Sequence, residues 1–454
     1  MTRHERWIKL AITQDLTVGN ETKTVLKLTG PMIVGNLFQQ LYNVADTIIV
    51  GRFIGPNALA AVGSSFSVMV LLNSIILGLC MGSSAVFSIL YGGKKIDRLK
   101  NSFFVSFCLI GLLTLIINFL ALFFIDDILI SLNIPEELFI DTRTYLKIIF
   151  YGIIFTSGYN YFSAIMRSLG NTTTPLIFLI ISALINIVLD IVFIVPLDMG
   201  VAGAAYATII SQAVSAIGLA IYCFRNSPII RLKRRHLKMN MDIIKMIGNN
   251  SILSSIQQSV MNLGILMIQG LVNSFGIPAM AAFAAVVKIE SFAYLPEQEF
   301  GNGFSIFIAQ NYGANKQDRI RNGIKSAIKI ITIYGVLISI LIILLAKPLV
   351  GIFIGPEEIE ILRIGKEYLY IVATFYTLIG YLFMFYGLFR GMGKPGMSII
   401  LTIISLGTRV ALAYKLSAIP SIGLKGIWWA IPIGWALADL LGFYKISRRK
   451  AKER

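Results

Sequence analysis

An all-α integral membrane protein is the fold class that this sequence predicts, with twelve transmembrane helices in two pseudo-twofold-related six-helix lobes around a central cavity. Three observations predict it. Of the 454 residues, 56% are hydrophobic and only 14% are charged, where a soluble chain carries ~25% charged residues. Uninterrupted apolar stretches such as 109–125 and 328–346 approach the ~20 residues that cross a ~30 Å hydrocarbon core, whereas the strands of a membrane barrel alternate and are only ~10 residues long. The chain also repeats itself once, with a period of about 220 residues.

Apolar runs punctuated by Gly, Pro and charge predict spans at 27–50, 58–90, 99–125, 142–165, 174–196, 201–223, 246–274, 279–310, 322–346, 360–388, 396–418 and 424–444. An even number of spans puts both termini on one side. The connections on that side hold 29 lysines and arginines, and those on the other hold seven: Arg52, Arg143, Lys147, Lys347, Arg363, Lys366 and Lys425. The positive-inside rule therefore predicts a multi-pass protein of the cell membrane with both termini cytoplasmic. The net charge of +17 is thus topological. Cations scattered over many loops at a bilayer face do not make a nucleic-acid surface, and no nucleic-acid partner is expected. Cys80, Cys108 and Cys223 stand singly in apolar segments, without metal-ligand spacing. The first 26 residues are polar and lack the apolar core of a signal peptide. The expected organisation is a cytosolic segment 1–26, an N-lobe 27–224, a basic cytosolic linker 225–245, a C-lobe 246–445 and a basic tail 446–454.

The repeat is legible in YGGKKIDRLKN from Tyr91 and YGANKQDRIRN from Tyr312, which share Tyr, Gly, Lys, Asp, Arg and Asn at an offset of 221. The same offset relates Pro135-Glu136-Glu137 to Pro356-Glu357-Glu358 and Gly55 to Gly276. An offset of 223 relates Arg167 and Gly170 to Arg390 and Gly393, and Gly200 and Gly203 to Gly423 and Gly426. Six spans per lobe give both lobes one orientation, related by an axis along the bilayer normal. Duplicated lobes of this kind flank a cavity that opens alternately to each side, so solute transport is the class this architecture favours.

An ionisable side chain at membrane depth costs at least ~2.5–3.5 kcal/mol, so each is a functional candidate. Span 1 has Asp46; span 5 has Asn186 and Asp190, which at i and i+4 share a helix face. Counted from their outer ends, Asp46, Asp190 and Thr208 of span 6 each lie about 8–9 Å inside the boundary, which places two carboxyls, an amide and a hydroxyl in one layer. Adjacent buried carboxyls resist double ionisation, so such a set suits a proton, and its hard oxygens also suit Na⁺. The other reading is that the two aspartates only fix helix packing. In the C-lobe, span 8 carries Lys288, Glu290, Glu297 and Glu299 around Pro296; these either line a cavity for a cationic solute or pair locally, Lys288 with an acid such as Glu290. Gln39, Gln40, Asn43, Asn160, Gln257 and Gln258 either line the pathway or bond between helices. The aromatic-rich span 10 reads as lipid contact and interfacial belts, with a minority facing the cavity.

No G-x-x-x-x-G-K-[ST] occurs, since Gly93-Lys94 is followed by Lys95 and Gly393-Lys394 by Pro395. ATP hydrolysis is therefore not expected and an ion gradient is the natural energy source. HExxH and GxSxG are also missing, and the two histidines, His4 and His236, fall in cytosolic segments, so no enzyme is expected.

Pro31 in span 1, the VADTIIVG stretch that follows it, and the MRSLGNTTTP and LFRGMGKP loops together resemble the multidrug and toxic compound extrusion (MATE) family over residues 27–445. The resemblance implies a secondary antiporter that expels organic, often cationic amphipathic compounds in exchange for H⁺ or Na⁺, with no cofactor beyond the coupling ion. Span 5 is similar to the DinF-like branch, which implies that Asp46, Asn186, Asp190 and Thr208 form the N-lobe cation site and would hold Na⁺ if that is the ion. The NorM-like pattern of acids on spans 7 and 10 is missing from SSIQQSVMN and YTLIGYLFMFYG, so no C-lobe cation site is expected. Pro31, Gln39, Gln40, Asn43, Asn160, Gln257, Gln258 and Glu290 are the expected substrate-pathway residues. The expected partners are small organic substrates and the lipid bilayer, and the expected state is a monomer. The rival within the same superfamily is a flippase for a lipid-linked glycan, which calls for a strongly cationic cavity; the span 8 acids argue against it.

Overall fold

The computed structural model describes residues 14–132, 134–355 and 357–452, without side chains from 449 onward. Residues 1–13, with Arg3, His4, Arg6 and Lys9 of the expected cytosolic segment, Pro356 of the repeat, and residues 453–454 of the tail lie outside the described residues. The regular structure of the described residues is helical: α1 (Glu21–Phe53), α2 (Pro56–Gly92), α3 (Ile96–Phe123), α4 (Ile125–Ser131), α5 (Glu136–Ser168), α6 (Thr173–Ile194), α7 (Gly200–Asn226), α8 (Met241–Asn273), α9 (Ile277–Gly313), α10 (Gln317–Leu344), α11 (Ala346–Gly351), α12 (Ile359–Ala373), α13 (Tyr376–Gly391), α14 (Pro395–Ser417) and α15 (Leu424–Lys452). Two 3₁₀ turns, Pro228–Ile230 and Arg234–His236, lie in the connection between α7 and α8.

Sequence punctuation accounts for the helix ends. Asn20 caps α1, its Oδ1 accepting the Lys23 N–H at 3.0 Å. Proline in the first turn starts α2 and α9, each directly after a glycine at positive φ, Gly55 at 119° and Gly276 at 91°. The repeat recurs in the backbone itself. Lys94 and Asn315 adopt φ of 55° and 56°, Gly170 and Gly393 of 84° and 68°, and Gly200 and Gly423 of 56° and 51°, at the offsets read from the sequence.

Each expected span falls on a long helix, with three differences. The stretch 99–125 ends at Phe123 and the short α4 follows. The stretch 322–346 ends at Leu344 and the short α11 follows. The stretch 360–388 is broken into α12 and α13, bent by 53°. At that break the Thr374 hydroxyl donates to the Tyr370 carbonyl at 2.7 Å, and the Phe375 N–H reaches only three residues back, to the Val372 carbonyl at 3.0 Å. The Phe375 N–H thus skips the Ile371 carbonyl that an α-helical bond would use, and the α-ladder stops there. Among the described residues nine helices are long and apolar enough to cross a membrane, and the bent pair makes a tenth. The 33-residue α1 and α5 are more polar, so composition alone does not give the twelve crossings expected.

The chain packs as two compact units whose boundaries fall inside helices. The first holds Gly30–Ser255 with the stretch ending at Leu16, and the second holds Thr17–Thr29 with the chain from Ile256 on. The start of α1 thus belongs to the second unit, and the start of α8 to the first, together with the connection read above as a separate linker. Packing explains the placement of α8. A Cβ at Gly78 or Gly82 would strike the backbone of Ser255, or of Asn250 and Ser251, and Ser83 and Ser251 hydroxyls meet at 2.9 Å. Only glycines let α2 and α8 approach so closely.

The connection before α8 is pinned to the start of α3, outside the membrane-spanning stretch. Lys100 Nζ donates to the Arg231 carbonyl at 2.8 Å, and Asn101 Nδ2 donates to the His236 and Lys238 carbonyls at 2.8 and 2.7 Å. His236 is buried, with Nε2 3.0 Å from Asp97 Oδ1, and Arg235 Nη2 lies 2.7 Å from the same oxygen. The hydrogen bond to His236, with the Arg235 guanidinium beside it, holds the Asp97 carboxyl below the usual carboxylate range. A depressed folded value contributes stability above the ordinary carboxylate pKa of about 3.9 that is lost as pH falls through the folded value. Asp97→Ala is therefore expected to speed amide hydrogen exchange over 233–238 at pH 7. The difference between variant and parent should vanish at a pH below the folded value of Asp97; an undiminished difference there assigns the effect to something other than this charge.

Candidate functional site

Three helices of the first unit bring the intramembrane polar residues together. Asp46 comes from α1, Asn186 and Asp190 from successive turns of α6, and Thr208 from α7. The apolar residues around Asp46, such as Ile49 and Val50, pack in one cluster with Ile194, Val201 and Ala204, so hydrophobic burial sets the register that aims the polar groups at one another. Asp190, Asn186 and Thr208 are 0%, 1% and 5% exposed, while Asp46 is half-buried.

With the Asn186 amide oriented to satisfy both its ends, its nitrogen donates to Asp190 Oδ2 at 2.8 Å and its oxygen accepts the Thr208 N–H at 3.2 Å. The Thr208 hydroxyl donates to the Ala204 carbonyl at 3.0 Å. The carboxyls of Asp46 and Asp190 are in hydrogen-bond contact with each other. Oδ1 of each has no hydrogen-bond partner among the described residues. Two bare carboxylates cannot touch in a buried layer, so this contact requires a proton between them or a cation beside them. Asn186 anchors Asp190, whereas Asp46 is the more accessible of the two acids.

Two tyrosines complete the cluster that the sequence reading missed. Tyr42 lies beside Thr208 and both acids, and the buried Tyr145 of α5 lies close by. Tyr42 is four residues before Asp46, the same-face spacing already used to join Asn186 to Asp190, and that spacing would have found it.

The residues expected along a substrate path are placed otherwise, and none of them hydrogen-bonds to this cluster. Pro31 and Gln40 are half-buried and Gln39 and Asn43 exposed on α1; Gln257 and Gln258 are buried on α8. Asn160 Nδ2 donates to the Thr156 carbonyl one turn back at 2.9 Å. In the second unit Glu290 is held by tyrosines, with Oε2 accepting the Tyr368 hydroxyl at 2.6 Å and Oε1 that of Tyr376 at 3.4 Å. Lys288 does not pair with it; the ammonium lies over the Phe353 ring, 5.8 Å from its centroid, because i and i+2 project from different helix faces. The reading of span 10 as lipid contact is corrected for most of its aromatics, while Tyr370 is exposed and Phe375 and Tyr381 are half-buried. Tyr368, Tyr376, Phe383, Phe385, Tyr386 and Phe389 are all buried, and Tyr368 packs edge-on against Trp428 at 4.7 Å. Aromatic faces on every side of a helix serve a helix that is surrounded. Glu297, 3% exposed, has neither carboxyl oxygen bonded among the described residues and lies against Gly380, where a Cβ would come within 2.7 Å of Oε1.

The family model described as MatE matches residues 31–192 and 251–415. Among proteins of similar sequence, the probable multidrug resistance protein YpnP of Bacillus subtilis (strain 168) is 30% identical, covering 96% of this chain and 98% of that protein. The probable multidrug resistance protein YoeA of the same strain is 29% identical, covering 92% of each. A solved structure of a MOP superfamily transporter from Pyrococcus furiosus superposes with a TM-score of 0.91 at 26% identity, covering 97% of this chain and 98% of that one.

Proposed function

This chain belongs to the MatE family, and from that premise we propose that it is a multidrug exporter that drives small organic, often cationic amphipathic compounds out of the cell in exchange for H⁺ or Na⁺. The observation that carries the reading is the contact between Asp46 and Asp190, each with a free carboxyl oxygen, inside a layer otherwise sealed by Asn186, Thr208 and apolar side chains. A cation that enters from outside meets Asp46 first and is shared with Asp190. The set fits Na⁺ as well as H⁺, because it offers hard oxygen ligands and no nitrogen or sulfur. The chain takes up the ion in its outward-open state, which lowers drug affinity, and loses it to the cytoplasm as drug loads. Antiport requires that ion and drug favour different states.

The proposed topology has α1 and α5 as two further crossings, since 33 residues span about 50 Å at 1.5 Å per residue. This makes twelve, with both termini in the cytoplasm and the monomer as the working unit. Glu290, Gln257 and Gln258 remain assigned to the substrate path along with Pro31, Gln39, Gln40, Asn43 and Asn160.

Ethidium efflux from proteoliposomes tests the proposal, with a pH gradient and a Na⁺ gradient imposed separately. Uphill ethidium movement is expected under one of them and not in protein-free vesicles. Ethidium movement that only ever follows its own gradient would make the protein a channel and overturn the antiport assignment.

A further inference from the structure

The duplicated motif is more than a trace of ancestry, because each copy holds the backbone that leads into the other half's first helix. In the first unit Asp97, Lys100 and Asn101 pin 228–238, the leader of α8. In the second unit Lys316, Arg319 and the turn beyond them pin the leader of α1. Lys316 Nζ donates to the Thr17 carbonyl at 2.8 Å; Arg319 donates to the Gly19 carbonyl at 2.6 Å and the Val18 carbonyl at 3.2 Å, and its Nε to Asn311 Oδ1 at 3.0 Å. Three successive carbonyls thus point at two cations. Glu21 adds an ion pair to Arg319 at 3.4 Å, and the Thr22 hydroxyl donates to Ser326 at 2.8 Å. Gly19, at φ 81°, supplies the turn that presents these carbonyls. The unit boundaries agree with the bonds: Thr17–Thr29 belongs to the second unit and the start of α8 to the first.

We propose that the two copies are reciprocal latches, with Lys316 and Arg319 acting as positioning residues that keep the start of α1 fixed to the second unit throughout the transport cycle. α1 continues into the first unit and bears Asp46, so what happens at the carboxylate pair acts on a helix whose other end the second unit holds. The inference rests on the export reading for its transport arm alone.

Three measurements test it, in a chain with Cys80, Cys108 and Cys223 replaced by alanine. Arg319→Ala is expected to speed hydrogen exchange over 17–29 and to slow ethidium efflux about tenfold, with ethidium binding unchanged and Arg319→Lys intermediate. A disulfide joining Thr22→Cys to Ser326→Cys should leave efflux at the parental rate and restore efflux to Arg319→Ala, the rescue being lost on reduction. Parental exchange over 17–29 in Arg319→Ala overturns the latch, as does faster exchange with parental efflux. Loss of efflux in the oxidised pair, with binding intact, shows that the segment must leave the second unit and overturns it too. The exchange arm decides the latch even if ethidium is not exported, so failure here is separable from failure of the transport reading.

Discussion

Replacing Asp46 with asparagine reduces gradient-driven efflux to the leak of protein-free vesicles, while the variant keeps its fold. Asparagine has the shape of aspartate and still bonds to a carboxyl, so the contact with Asp190 survives as an ordinary hydrogen bond. It cannot carry the proton, or the negative charge that holds Na⁺. Asparagine relieves the repulsion between two adjacent acids and the cost of desolvating a charge, so the thermal midpoint of Asp46→Asn should equal or exceed that of the parent. Asp190→Asn gives the same loss, and the double variant is no worse than either alone, because residues acting as a unit are not additive. Parental efflux by a stably folded Asp46→Asn protein removes Asp46 from the coupling site.

Gly387→Val lowers the thermal midpoint with little room for relaxation. A Cβ at Gly387 would overlap the Gly301 carbonyl, and one at Gly301 would lie 2.5 Å from the Phe383 carbonyl, so α9 and α13 meet backbone to backbone at a pair of glycines. Atoms added there meet main chain and have no rotamer to move into. Overpacking of this kind costs roughly 1–3 kcal/mol, which in a unit of about 200 residues corresponds to roughly 3–10 °C. Gly63→Ala, where a Cβ meets nothing within 4 Å, is the control and should leave the midpoint where it is or raise it slightly. Equal midpoints for the parent and Gly387→Val would mean that the two helices are not in this contact.

The spans were readable because a membrane asks for long apolar runs, and Gly55, Gly276, Gly170 and Gly393 mark turns that only a few residues tolerate. The break at Thr374–Phe375 was not readable, because the apolar run continues through it and neither glycine nor proline marks it. The division of α1 and α8 between units was hidden for a related reason. It depends on whose backbone Gly78 and Gly82 admit, and on which carbonyls Lys316 and Arg319 reach, which are pairings across as many as 301 residues. At the site, Asp46 and Asp190 stood out because charge at membrane depth is expensive, and Asn186 came with Asp190 through helical spacing. Tyr42 was passed over because tyrosine is common near membrane interfaces and signals nothing by itself. The partners of Glu290 lie 78 and 86 residues away, beyond any local pattern.

The 53° break also separates the halves of the duplication mechanically. At the offset of the repeat, the counterpart of α12 and α13 is α5, one uninterrupted helix of 33 residues. A continuous rod passes a push applied at one end to the other; a jointed one absorbs part of it as rotation at the joint. The first half therefore has a stiff strut where the second has an elbow, and equal forces on the two halves produce unequal strains. Twofold symmetry in the ancestry of the chain does not extend to its elasticity.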